Sequence, residues 1–187
     1  MDAWVRASLG RYPAPLQLLA RLGDRVPLTA MTAALVLACL AARRWRGAVL
    51  AGVAVPAAAA LTELVLKPLT GRTLDGSLSF PSGHATSLFA LAAACAVLLA
   101  GLRWPAARRL SLAVGAVMAA GASAAAMVGL GFHYFTDTVG GAAVGTAVVL
   151  LLAFLLDRSI PAGDAVPGRA APAGDENPAV RATGRQR

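Results

Sequence analysis

The residues of this chain that can do chemistry are few and closely spaced. The stretch from Lys67 to His84 reads KPLTGRTLDGSLSFPSGH and holds the sole lysine, Arg72 and one of the two histidines. The other histidine, His133, is followed four residues later by Asp137. At helical spacing the Asp137 carboxylate can accept a hydrogen bond from one ring nitrogen and leave the other free as a nucleophile. His84 is then available as the acid that protonates a leaving oxygen. Ser82, Gly83 and His84 are expected to open a helix whose free N–H groups favour an anion, and Gly83 lets that anion come close to the backbone. Lys67 and Arg72 add positive charge, and an arginine can grip two oxygens at once. These residues describe a site that holds a phosphate and breaks its ester or anhydride bond. A phosphohistidine on His133, hydrolysed by water in a second step, follows from the pairing.

Taken singly, each residue has a plainer reading. A histidine near the end of a span is usually an interfacial side chain. Lys67 and Arg72 could set topology, and an aspartate in a first helical turn usually serves the helix dipole. Glu63, one turn before Lys67, is placed for an i,i+4 ion pair that is structural or catalytic alike. Coincidence outweighs these readings. Both histidines, the lysine and an aspartate that is costly near a bilayer all fall at span ends on one side. No metal site and no other cofactor is expected, because the acids are scattered and there are only two histidines.

The elements that must position these residues are apolar. Of 187 residues 58% are hydrophobic and only 14% charged, with a mean hydropathy of +0.67. That excludes an ordinary soluble domain and predicts an all-α, polytopic transmembrane bundle. Spans are expected at residues 27–42, at 47–66 with a kink at Pro56, from the Pro81-Ser82-Gly83-His84 turn to residue 102, at 110–130 and at 133–156. Residues 68–81 are read as a loop, and Gly141-x-x-x-Gly145 as a packing notch. Residues 1–26, broken by Pro13 and Pro15, are expected to form an amphipathic segment lying in the membrane interface. Residues 27–156 make the core, and residues 157–187 read as a disordered cytoplasmic tail. No cleaved signal peptide is expected, and Cys39 and Cys95 read as structural thiols.

The net charge of +8 would suit nucleic acid in a soluble protein. Here the arginines cluster between apolar runs, so they read as topology signals, and no nucleic-acid partner is expected. The turns at 43–46 and 103–109 and the tail hold eleven arginines on one side, against six basic residues on the other. The tail is thus expected in the cytoplasm and the site on the outer face of a plasma (inner) membrane. Arginine in place of lysine, with much Ala, Gly and Val, points to a bacterial, GC-rich genome.

Lys67…Arg72, Pro81-Ser82-Gly83-His84 and His133-x-x-x-Asp137 together resemble the three signature motifs of the type 2 phosphatidic acid phosphatase superfamily. The likeness covers about residues 60–145. It implies a helical, metal-independent phosphatase with His133 as nucleophile, Asp137 as its partner and His84 as general acid. It also implies phosphate contacts from Lys67, Arg72, Ser82 and Gly83, and a lipid phosphate as substrate. Three positions depart from the pattern. Leu74 and Asp75 stand where the family's first motif ends in Arg-Pro, and Met127 stands where the third carries arginine. A binding or transport protein for lipid phosphates on the same scaffold is the competing reading. The retained histidine pair speaks for the enzyme.

Overall fold

Each apolar run folds as a helix, and together the helices form a transmembrane bundle. The computed structural model describes residues 13–158. Helix α1 (Pro13–Ala20) leads through a 3-10 turn, Arg21–Gly23, into α2 (Arg25–Ala41). Helix α3 runs from Trp45–Thr70, α4 from Gly83–Ala100, α5 from Ala106–Gly129 and α6 from Phe135–Arg158. Among the described residues, four helices, α3 to α6, are long and apolar enough to cross a membrane. The pair α1–α2, bent by 52°, makes a fifth crossing if it is taken as one broken span. The expected first span falls on α2, which is joined to the N-terminal segment through that sharp break. Pro13–Ala20 lays Leu16 and Ala20 against Ala126 and Met127 of α5. The rest of the expected interfacial segment, residues 1–12, lies outside the described residues, as do residues 159–187 of the expected tail.

Helix α4 sits at the centre, packed on α3, α5 and α6. Its contact with α6 is the closest because α6 offers glycine there. A Cβ at Gly141 would lie 2.5 Å from the Ser82 carbonyl oxygen, and one at Gly145 would collide with that of Thr86. The Gly-x-x-x-Gly pair is thus a notch into which the α4 backbone fits. The buried core around it is Leu50, Ala54, Val55, Ala58, Ala90, Leu91, Ala94 and Val149.

Two local features differ from the sequence reading. Pro56 lies inside α3, and a wide π turn, Leu61–Leu66, follows it. Such turns recur at functional sites, and this one carries Glu63 just ahead of Lys67. The segment expected as a loop from residue 68 continues as helix to Thr70 and then forms a hairpin, β1 (Thr73–Leu74) against β2 (Ser77–Leu78). Asp75 and Gly76 make its two-residue turn with φ of 49° and 80°, the left-handed pair that Asp-Gly supplies most readily.

At the far end of the bundle the arginines close helix termini. Arg44 donates to the carbonyls of Gly101 at 2.6 Å and Leu98 at 3.4 Å. Arg46 donates to Leu156 O at 2.7 Å, and Arg109 to Ala100 O at 2.7 Å. The last carbonyls of a helix lack intrahelical partners, and a cation there also meets the negative end of the dipole.

Candidate active site

The site lies where α3 ends and where α4 and α6 begin, at the opposite end from the capping arginines. Ser82 is the N-cap of α4, fully buried, and its Oγ accepts from Ala85 N at 3.4 Å. Its own N–H donates to the Asp137 carbonyl at 2.9 Å. That bond ties the start of α4 to the start of α6, and so ties the Pro-Ser-Gly-His turn to the histidine–aspartate pair. Thr86, one turn along, bonds Ser82 O at 2.9 Å and Thr62 Oγ1 at 3.1 Å, joining α3 to the same point.

Lys67 and Glu63 form the expected ion pair, Nζ to Oε1 at 2.7 Å. Gly83 faces that pair. A Cβ there would run into the Glu63 carboxylate and approach Lys67 Nζ to 3.9 Å. The glycine therefore brings the first turn of α4 within reach of the lysine.

His133 sits in the short link between α5 and α6, before Phe135. Asp137 is completely buried in the first turn of α6. Its Oδ2 accepts from Tyr134 N at 3.0 Å and lies 3.7 Å from His133 Nδ1. The expected histidine–carboxylate hydrogen bond is therefore a close approach rather than a bond, because Oδ2 caps its own helix start. His133 Nδ1 is buried and has no hydrogen-bond partner. Such contacts commonly tighten only when substrate binds. Burial lowers the His133 pKa, and the positive charges of Lys67 and His84 push the same way. Asp137 and the Ser79 backbone act in the opposite sense. The net effect favours the neutral ring, which is the nucleophilic form.

Arg72 enters from the hairpin. Its Nη1 lies 3.1 Å from Asp137 Oδ1 and donates to Thr136 Oγ1 at 2.9 Å, with the guanidinium 4.6 Å above the Tyr134 ring. One edge of the fork is thus used to brace the carboxylate, and the remaining N–H groups are free to meet an anion. Leu74 is in β1 and Asp75 is in the hairpin turn, so Arg72 is the guanidinium that this hairpin presents to Asp137. Met127 is buried against Leu16 and Ala20 of α1, so packing occupies the place where an arginine was missing.

His84 is in the first turn of α4, and its Nε2 lies 3.2 Å from Asp24 Oδ1. Asp24 and Gly23 were not singled out in the sequence. The signal was there: Asp24 is one of two acids before Glu63, and it stands at a span start on the side of the histidines. The site thus brings together Lys67, Arg72, Ser82, Gly83, His84, His133 and Asp137, and adds Asp24, Tyr134 and Thr136.

A helical membrane bundle with two histidines at one mouth, beside a lysine and an arginine, defines a class. A sequence profile of the PAP2 superfamily matches residues 62–160, just over half of the chain, and the chain belongs to that superfamily. A comparison with curated proteins finds no match. Among solved structures the chain is similar to the first transmembrane PAP2 type phosphatidylglycerolphosphate phosphatase from Bacillus subtilis. The TM-score is 0.71 over 85% of this chain and 86% of that one, at 18% identity. At that identity the likeness is one of fold.

Proposed function

We propose that the protein is an integral-membrane phosphatase that hydrolyses a lipid phosphate or diphosphate without a metal. Candidate substrates are polyprenyl phosphates and diphosphates, prenyl phospho-sugars and phosphatidic-acid-type lipids. The observation that carries the reading is the single constellation of His133, Asp137, His84, Lys67 and Arg72 at one mouth of a PAP2-superfamily bundle. A protein that only bound lipid phosphate would need the cations but not two histidines.

In this reading the phosphate sits over the start of α4, held by the N–H groups of its first turn, the Ser82 hydroxyl, Lys67 and Arg72. Neutral His133 attacks phosphorus through Nε2 while Nδ1 faces Asp137. The P–N bond forms, the P–O bond to the lipid breaks, and the leaving oxygen takes a proton from His84. Water then attacks the phosphohistidine, giving up its proton to His84, and His133 is released. Asp137 steadies the imidazolium, and Arg72 steadies Asp137. The excess of arginine at the other end of the bundle supports a site on the outer face of the plasma membrane.

Purified protein given a panel of lipid phosphates in EDTA tests this directly. Release of inorganic phosphate, with label trapped on His133 in wild type and absent in His133→Ala, is the expected result. Turnover that stops in EDTA and returns with magnesium overturns the metal-free chemistry. Binding of the panel without turnover favours the binding-protein reading.

A further inference from the structure

We infer that Asp24 is a positioning residue for His84, delivered by the break between α1 and α2, so that each histidine of the site has a carboxylate of its own beside it. This rests on the phosphatase reading above. Three observations support it. First, Asp24 is the N-cap residue of α2 but makes no side-chain cap bond. Aspartate at such a place normally accepts from its own helix. Here its Oδ1 lies instead 3.2 Å from His84 Nε2, sixty residues away in the chain.

Second, the backbone beside it is shaped to the ring. A Cβ on Gly23 would lie 2.5 Å from His84 Cδ2 and 3.0 Å from Cγ. Only glycine lets this turn press against the imidazole. The Cδ2–Nε2 edge is therefore the edge held by residues 23 and 24, and the Nδ1–Cε1 edge is turned away from them. Third, the turn is anchored. Leu16 and Ala20 of α1 are buried against Ala126 and Met127, the latter six residues before His133. The 52° bend between α1 and α2 places Asp24 at the mouth of the bundle.

The chemical consequence concerns which nitrogen carries the transferable proton. A carboxylate accepting from Nε2–H fixes that nitrogen as a donor and leaves Nδ1 to exchange a proton with the leaving oxygen. It also limits rotation of a ring that is about a third exposed. Asp24 touches neither phosphate nor leaving group. It acts through His84.

The test uses the full chain in detergent micelles and two readouts. The first is single-turnover phosphoryl transfer to His133 from phosphatidic acid, a poor leaving group, and from p-nitrophenyl phosphate, a good one. Asp24→Asn is expected to slow transfer from phosphatidic acid by about tenfold or more, within the range of general-acid effects, and to slow the aryl phosphate far less. Asp24→Glu recovers part of the loss. In the His84→Ala background, Asp24→Asn adds nothing further. Equal losses on both substrates, additivity with His84→Ala, or a gain in rate would each overturn the proposal. A gain would mean that Asp24 competes with substrate for the ring. The second readout is the 15N spectrum of the neutral imidazoles, assignable because the chain has only two histidines. Wild type is expected to hold the His84 proton on Nε2, and Asp24→Asn to lose that preference. A His84 spectrum indifferent to the substitution overturns the contact itself. This second readout needs no turnover, so failure of the phosphatase reading and failure of this inference are read separately.

Discussion

Asp137 is held from three sides: Tyr134 N–H on Oδ2, Arg72 beside Oδ1, and its own carbonyl bonded to Ser82 N–H. Replacing it by asparagine keeps the size but removes the charge that, in the proposed mechanism, steadies a phosphorylated imidazole. Asp137→Asn should lose at least about a hundredfold in the phosphorylation rate while retaining its fold, as checked by rapid quench and thermal melting. Arg72→Lys separates charge from geometry, because lysine keeps the charge but lacks the two-pronged fork. A loss of roughly 10²-fold in kcat/KM is expected, close to that of Arg72→Ala, if the fork matters. A lysine variant near wild type would reduce Arg72 to a point charge. The expected pH profile follows from the proposed role of His133, which must be neutral to attack. Its pKa is lowered, so the neutral form persists as pH falls, and the acid limb of kcat/KM should lie below the ordinary histidine value of 6.5. An acid limb above 6.5 would mean that the carboxylate outweighs burial.

At the scale of elements, the site depends on the fit of α4 into the glycine notch of α6. Gly145→Leu should destabilise the bundle by about 1–3 kcal/mol, the usual range for overpacking. It should also reduce turnover more than the melting shift alone accounts for, because pushing α6 off α4 strains the Ser82–Asp137 bond. Full activity with a lowered melting point would show that the notch only packs. These helices were legible in the sequence because long apolar runs bounded by arginine, glycine or proline have few alternatives in a bilayer. The motif residues were legible because they are rare polar groups at span ends. Three things were not. The hairpin at Thr73–Leu74 and Ser77–Leu78 was submerged in a Gly/Ser/Thr-rich stretch, although Asp75-Gly76 carried its turn signal. The π turn depends on packing against α4 and has no local signature. Asp24 was hidden because its partner is sixty residues away and only the bend between α1 and α2 brings them together.

For the whole molecule, the two ends of the bundle have divided labour: histidines at one mouth and capping arginines at the other. Orientation can be read with cysteines after Cys39 and Cys95 are replaced by alanine. Ser77→Cys in the hairpin should react with a membrane-impermeant reagent in intact cells, and Arg103→Cys in the opposite turn should not. The reverse pattern would invert the topology and move the site to the cytoplasmic leaflet. Around the histidine mouth several apolar side chains are exposed. Leu64 and Leu69 flank Lys67, and Phe132 and Phe135 flank His133 and Tyr134. On the proposed function, these side chains would let a lipid reach Lys67 and His133 sideways, with its tails still in the bilayer. The concentration that governs such an encounter is two-dimensional. Diluting proteoliposomes with buffer should leave the specific rate unchanged, whereas diluting the substrate with inert phospholipid at fixed total lipid should lower it in proportion to mole fraction. A catalyst built this way responds to the crowding of its own leaflet, and bulk solution is invisible to it.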